Sequence, residues 1–339
     1  MQFPHFMLKE IHEQPSIIRQ QLDAALSWAE LLPETVEPIE TIQILACGTS
    51  FHAGLVGQYL FEQVAGIPTR IRAASEFLLA PLPNLPRSLT IAVTQSGETA
   101  DTLAALRYCQ QQFHSIRFGI TNQENSSIVP LAHHTFYTQA GVEKSVAATK
   151  TFTAQLCVFY QLAIAFALKN NRLTNLNVWQ MALDQIPEQM QTILTQEAEF
   201  AAIAQSLQSA KSLIILGSGI NTAIAQEGAL KLKETTYTHA EAYAAGEFLH
   251  GSIALLDPTI PVLAIAPEDE TQPLLANAIA KAKSSGAPVF PLATALKTSV
   301  PVSPFLTVLP LQLVAYHLAI LRQIDVDRPR NITKSLRFQ

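Results

Sequence analysis

Short apolar, β-leaning runs alternate along this chain with longer stretches in which apolar residues return every three to four positions. "IQILAC", ending at Cys47, has the first pattern; "FHAGLVGQYLFEQVAG", after the turn "GTS", has the second and closes at Gly66. "SLTIAVT" is a further strand, and "ADTLAALRYCQQQF" a helix expected to open near Glu98. This alternation predicts α/β layers on a parallel sheet. Both strand-to-helix turns then lie at carboxyl ends of strands, where open parallel sheets bind ligands.

The pattern recurs. "ILACGTSFHAGLVGQYL" with "RAASEFL" has its counterpart in "LIILGSGINTAIAQEGAL" with "AYAAGEFLHG", and "LTIAVTQSGETADTLAAL" in "VLAIAPEDETQPLLANAI". Two copies of one unit are predicted, over 40–168 and 205–322, joined by a helical connector over 169–204. A helical segment, 1–39, precedes them and a tail, 323–339, comes after. The copies differ where it matters. Thr94-Gln95-Ser96-Gly97 in the first is Ala266-Pro267-Glu268-Asp269 in the second, where two acids repel an anion and proline removes a backbone donor. Only the first copy is expected to hold a phosphate.

Composition narrows the function. Hydrophobic residues make up 48% and charged ones only 14%, against about 25% in ordinary proteins, so much of the chain is core. A net charge of -5 without a basic cluster argues against nucleic acid or an anionic membrane as partner. An anionic small molecule must be held by local dipoles and a few cations. Cys47, Cys109 and Cys157 form no metal or disulfide pattern and fit reduced thiols in a cytoplasmic protein. "MQFPHFMLKE" is not a signal peptide. The most lipid-like run, "TFTAQLCVFYQLAIAFALKNN", carries Gln155 and Gln161 and reads as a buried helix.

Thr94, Ser96 and Thr99 can each donate a hydroxyl to a phosphate oxygen, Gln95 an amide, and Ser50 a hydroxyl from the neighbouring turn. A helix N-terminus adds unpaired N–H groups, and Gly97 lets the backbone come close. Each residue alone is an ordinary cap or turn former; together, beside a second Ser/Thr turn, they favour an anion site. Neither GxxxxGK[ST] nor GxGxxG occurs.

"CGTS", "QSGETADT", "EGALKLKE", "HAEAYAAGEFLHG" and "DVDRPRNITKS" together resemble the isomerase half of glucosamine-6-phosphate synthase, from about "FMLKEIHEQP" to the last residues. The resemblance implies two tandem sugar-isomerase (SIS) domains, each a mainly parallel five-stranded sheet between helices, flavodoxin-like and three-layered. The synthase begins with a glutamine-hydrolysing domain whose nucleophile is an N-terminal cysteine; here residue 2 is Gln and no cysteine precedes Cys47. The expectation is therefore a stand-alone SIS-type glucosamine-6-phosphate deaminase, a homodimer that needs no metal or cofactor. Ser50, Thr94, Gln95, Ser96 and Thr99 match the family's phosphate contacts, Val146 and Lys231 match its sugar-lining residues, and Thr49 is expected among the substrate-binding residues. Glu234 matches the acid/base between C1 and C2, His250 the ring-opening histidine that reaches a neighbouring subunit, and Lys334 the Schiff-base lysine of the tail.

Some positions depart from the family. "EIGVASTKAF" is "EKSVAATKTF" here, Leu249 replaces a lysine and Thr333 an alanine. These changes bear on substrate choice and direction, not on phosphate binding. The chemistry suits the residue types: histidine titrates near neutrality, and a carboxylate in a dry pocket can move a proton beside a carbonyl or imine. Glu234 also has an ordinary reading, as a helix glutamate paired with Lys231 or Lys233. Two other functions stay open: an SIS isomerase or deglycase for another sugar phosphate, and a non-catalytic sugar-phosphate sensor. Against the sensor, the chain shows no helix-turn-helix or basic extension.

Overall fold

The computed structural model describes residues 3–24, 28, 30–33, 38–83, 85–113, 115–173, 175–294 and 300–334. The chain divides into two compact units. One gathers Ser16–Glu143, Lys150–Asn177 and Thr333–Gln339; the other gathers Met1–Pro15, Lys144–Thr149 and Val178–Ile332.

The first of these units is built on a parallel sheet of β1 (Thr41–Ala46), β2 (Thr69–Ala73), β3 (Ser88–Val93), β4 (Ile116–Thr121) and β5 (His134–Tyr137), in the order β2-β1-β3-β4-β5. After β1 the chain crosses to one side to lay β2 and then returns to the other for β3. The strand order therefore reverses between β1 and β3, and a crevice opens at their carboxyl ends. Ala46 is in register with Val93, so the turns after the two strands leave the sheet side by side. The first turn leads into α2 (Gly48–Leu60), the second into α4 (Ala100–Gln112). The helix after β3 thus begins at Ala100, not near Glu98. Gly97 adopts a left-handed backbone, φ +67, and Thr99 is extended, φ -65 and ψ 115, so neither can belong to an α-helix.

The second sheet has β6 (Ser212–Gly217), β7 (His239–Ala244), β8 (Val262–Pro267) and β9 (Val289–Thr294), all parallel, in the order β7-β6-β8-β9. Among the described residues this sheet has four strands, not the expected five. Where the first copy lays β5, the second has a Pro-containing segment around "VPVSPF" that feeds a helix directly. Proline cannot donate to a strand ladder. Pro291 is tolerated because β9 lies at an edge of the described sheet. Helices α6 (Leu176–Thr195) and α7 (Glu197–Ser206) fill most of the sequence between Lys169 and Ser212.

Each sheet is covered by one long apolar helix: α5 (Lys150–Lys169) in the first and α11 (Pro304–Leu321) in the second. Both are long and apolar enough to cross a membrane, yet 94% and 83% of their most apolar windows are buried inside the protein. The same device seats both. A Cβ on Gly57 of α2 would stand 2.4 Å from the Phe159 ring of α5, and one on Gly228 of α8 (Asn221–Thr236) 2.6 Å from Leu311 of α11. Glycine at the crossing lets the backbones approach, and each large apolar residue seated there contributes roughly 1.5–3 kcal/mol on burial.

Candidate active site

The loop Thr94–Thr99 is held from behind by a second loop, residues 122–128. Asn122 N–H donates to the Gln95 carbonyl at 3.0 Å and Ile128 N–H to the Gly97 carbonyl at 3.1 Å. Gly97 lies so close that an added Cβ would fall 1.9 Å from Ser126 Oγ, which leaves no room for a side chain at that left-handed position. The Glu98 carboxylate does not face an incoming anion unpaired: it accepts from Ser127 N–H at 2.7 Å and Ser127 Oγ at 2.8 Å.

Within the loop the hydroxyls are ordered. Glu98 N–H donates to Ser96 Oγ at 3.1 Å, and Thr94 Oγ1 lies 3.5 Å from the same oxygen. Thr94 Oγ1 and Thr99 Oγ1 are 2.7 Å apart, which uses one of their two protons and leaves the other. Thr94 is buried, and Gln95, Ser96 and Thr99 are half-buried. Cys47 and Thr99, the residues preceding α2 and α4, make no side-chain cap to their helices. Thr49 is half-buried and Ser50 buried in the first turn of α2.

A cleft of about 700 Å³ opens in front of this loop, lined by Gln95, Ser96, Glu98, Asn122, Ser126, Glu143 and Lys334 among others. Lys334 supplies the cation that the loop itself lacks. Its Nζ stands 2.6 Å from Glu143 Oε2, and the Glu143 side chain is fully buried. Glu143 also accepts from Thr151 N–H at 3.2 Å and Thr151 Oγ1 at 2.8 Å, so the carboxylate is fixed before the lysine meets it. Glu143 was visible in sequence only as an acid in an otherwise small and apolar stretch, "AGVEKSVAA". Its partner lies 191 residues away, and no local pattern joins them.

The other unit holds Glu234, His250, Lys231 and Val146. Glu234 and Lys231 lie on one face of α8, with Lys231 Nζ 2.5 Å from Glu234 Oε2 and 3.4 Å from Glu227 Oε1. Lys231 and Glu227 are buried, and Glu234 keeps 22% of its side chain exposed. A buried lysine between two carboxylates is fixed rather than mobile. Glu234 is therefore the member of the triad that solvent and small molecules can reach. His250 is exposed, just after α9 (Ala245–Phe248). Val146 N–H donates to the Asp327 carbonyl at 3.1 Å, and the Asp327 carboxylate accepts from Phe6 and Met7 N–H. Lys144, one of the departures from the family pattern, lays its ammonium over the Phe6 ring at 4.7 Å.

The turn after β8 lacks the hydroxyl cradle. There Asp269 accepts from Thr271 N–H at 2.9 Å and Thr271 Oγ1 at 2.5 Å, and the turn is filled by its own carboxylate. Among the described residues no cluster of three or more His, Cys, Asp or Glu side chains is arranged to hold a metal ion.

The SIS domain family matches residues 37–165 and 206–322, one match to each sheet and its helices. The chain belongs to the SIS domain family. Among curated SIS proteins it is 46% identical to glutamine–fructose-6-phosphate aminotransferase (isomerizing) of Thermosynechococcus vestitus, over 98% of this chain and 59% of that protein. It is 39% identical to the aminotransferase of the same name from Aquifex aeolicus, over 98% of this chain and 58% of that protein. The chain thus spans under two thirds of the length of these relatives. The C-terminal domain of glucosamine-fructose-6-phosphate aminotransferase from Francisella tularensis superposes with a TM-score of 0.89 at 34% identity, covering 96% of this chain and 99% of that one. Glucosamine-6-phosphate deaminase from Thermotoga maritima superposes at 0.80 with 22% identity, over 98% of this chain and 100% of that one, a likeness of fold alone. Solved structures at 34% and 22% identity thus share this fold.

Proposed function

We propose that this SIS protein converts D-glucosamine 6-phosphate and water into D-fructose 6-phosphate and ammonia. The observation that carries this reading is a cleft lined by the Ser96 hydroxyl, the Gln95 amide and the Lys334 ammonium, a donor set suited to a sugar phosphate. Ser50, Thr94, Gln95, Ser96 and Thr99 bind the phosphate, with Thr49 beside them. His250, exposed in one chain and donated to a second copy in a homodimer, opens the sugar ring. Glu234 takes the proton from C2 and returns it to C1, which moves the double bond and leaves an imine at C2. Water adds to that imine and ammonia departs. Lys334, paired with Glu143, contacts the substrate as a cation, while Lys231 and Val146 line the sugar. A cytoplasmic location belongs to the same proposal and is supported by the burial of both apolar helices.

The curated relatives favour a second reading in which the chain runs the same chemistry toward glucosamine 6-phosphate, using ammonia supplied to it. One experiment separates them: purified protein is given glucosamine 6-phosphate and followed for ammonia and fructose 6-phosphate, and in parallel given fructose 6-phosphate with an ammonium salt. Ammonia release supports the first reading; glucosamine 6-phosphate formation alone supports the second. Turnover of a fructosyl-amine phosphate only would assign a deglycase, and binding without turnover a sensor.

A further inference from the structure

Helix α5 buries every residue from Lys150 to Ala167, and nothing about its packing calls for an amide in its second turn. Gln155 is nevertheless there, 1% exposed. Its Oε1 is buried without a hydrogen-bond partner, a cost that a leucine of similar volume would not carry. Its Nε2 donates to Ser50 Oγ at 3.0 Å. A serine hydroxyl has one proton. With its oxygen accepting from Gln155, Ser50 must send that proton elsewhere, and Ser50 stands in the turn after β1, beside the phosphate loop that leaves the register-paired end of β3. Ser96 is comparable: its oxygen accepts from Glu98 N–H, and the residue lines the cleft.

We infer that Gln155 is a positioning residue: it fixes Ser50 as a hydrogen-bond donor toward the anion while touching no ligand itself. The inference rests on the phosphate-binding reading of this crevice but not on the reaction proposed for it. It also gives a purpose to a buried glutamine that the fold does not require.

The test reverses the polarity of one hydrogen bond. Gln155→Glu replaces the donor by an acceptor of the same shape, so Ser50 turns its proton inward and presents a lone pair to the anion. Binding of glucosamine 6-phosphate and of inorganic phosphate is measured by calorimetry for the wild type, Gln155→Glu, Gln155→Leu, Ser50→Ala, Ser96→Ala and each Gln155 variant combined with Ser50→Ala. Gln155→Glu is expected to weaken both ligands roughly tenfold, at least as much as Ser50→Ala. Gln155→Leu is expected to weaken them less, and neither Gln155 change to add anything once Ser50 is alanine. In turnover the effect falls on KM with kcat unchanged. If Gln155→Glu does not fold, the Gln155→Leu and Ser50→Ala pair still reads the coupling. Wild-type affinity in Gln155→Glu, or effects of Gln155 that persist fully without the Ser50 hydroxyl, would overturn the inference. If Ser96→Ala weakens binding while the Gln155 variants do not, the phosphate site stands and the inference fails. If the wild type binds and the Gln155 pattern holds but no ammonia is released, the inference stands and the deaminase reading fails.

Discussion

At the scale of single residues, the anion site proposed for this loop has no lysine from the loop itself and depends on how its hydroxyl protons are ordered. The sequence showed which hydroxyls were available. It could not show that Ser96 and Ser50 each have an oxygen already engaged, because the donors are a backbone N–H and a glutamine on a distant helix. The same holds for the Thr94–Thr99 pair, where one hydroxyl serves as strut for the other. Removing Ser96 and Thr99 together therefore removes the proposed donor and the strut. Ser96→Ala with Thr99→Ala is expected to raise KM for glucosamine 6-phosphate by tenfold or more, at ~1.5 kcal/mol for each hydrogen bond to a charged group. Neither side chain is large or central to the core, so the melting temperature should hardly move. Steady-state kinetics beside a thermal melt checks both, and an unchanged KM removes the phosphate role.

At the scale of elements, strands and helices were legible because their periods are local properties of the chain. "IQILAC" and "SLTIAVT" became β1 and β3, and the lipid-like run became the buried α5. Two features were not local. The start of α4 depended on how loop 122–128 presses on Gly97, and the edge strand of the second described sheet is β9, which contains Pro291. Side-chain contacts between elements were equally hidden. Glu197 on α7 meets His12 Nε2 at 2.9 Å and His317 Nε2 of α11 at 3.0 Å. Burial holds the His317 imidazole below the ordinary histidine range, and the Glu197 carboxylate pulls it only part of the way back. A histidine whose folded pKa is depressed binds its proton more readily in the unfolded chain. Its share of stability is then complete above about pH 6.5 and is lost as the pH falls from there through the lower folded value. The melting temperature is expected to be flat above pH 7 and to fall below about pH 6.5. His317→Gln should make that fall shallower; a variant whose profile runs parallel to the wild type would show that His317 does not carry it.

At the scale of the whole molecule, two copies of one α/β unit differ in what they carry at corresponding places. Both keep the glycine crossing beneath a long apolar helix, which is what the fold needs. Only the first keeps the hydroxyl turn, and the second instead carries a glutamate, Glu234, beside a buried lysine on α8. This division predicts that binding and chemistry come apart on mutation. Glu234→Gln keeps the size of the side chain and leaves Lys231 still paired with Glu227, so the protein should fold and bind glucosamine 6-phosphate as the wild type does. It removes the only proton acceptor proposed for C2, and kcat should fall by roughly 10²–10⁴-fold, the usual worth of a positioned general base. Ser96→Ala with Thr99→Ala should do the reverse, raising KM while kcat holds. The decisive comparison is a calorimetric titration and a progress curve on each variant. Should Glu234→Gln keep kcat within tenfold of the wild type, another group moves the proton; should it lose binding along with turnover, Glu234 holds the sugar rather than transforming it.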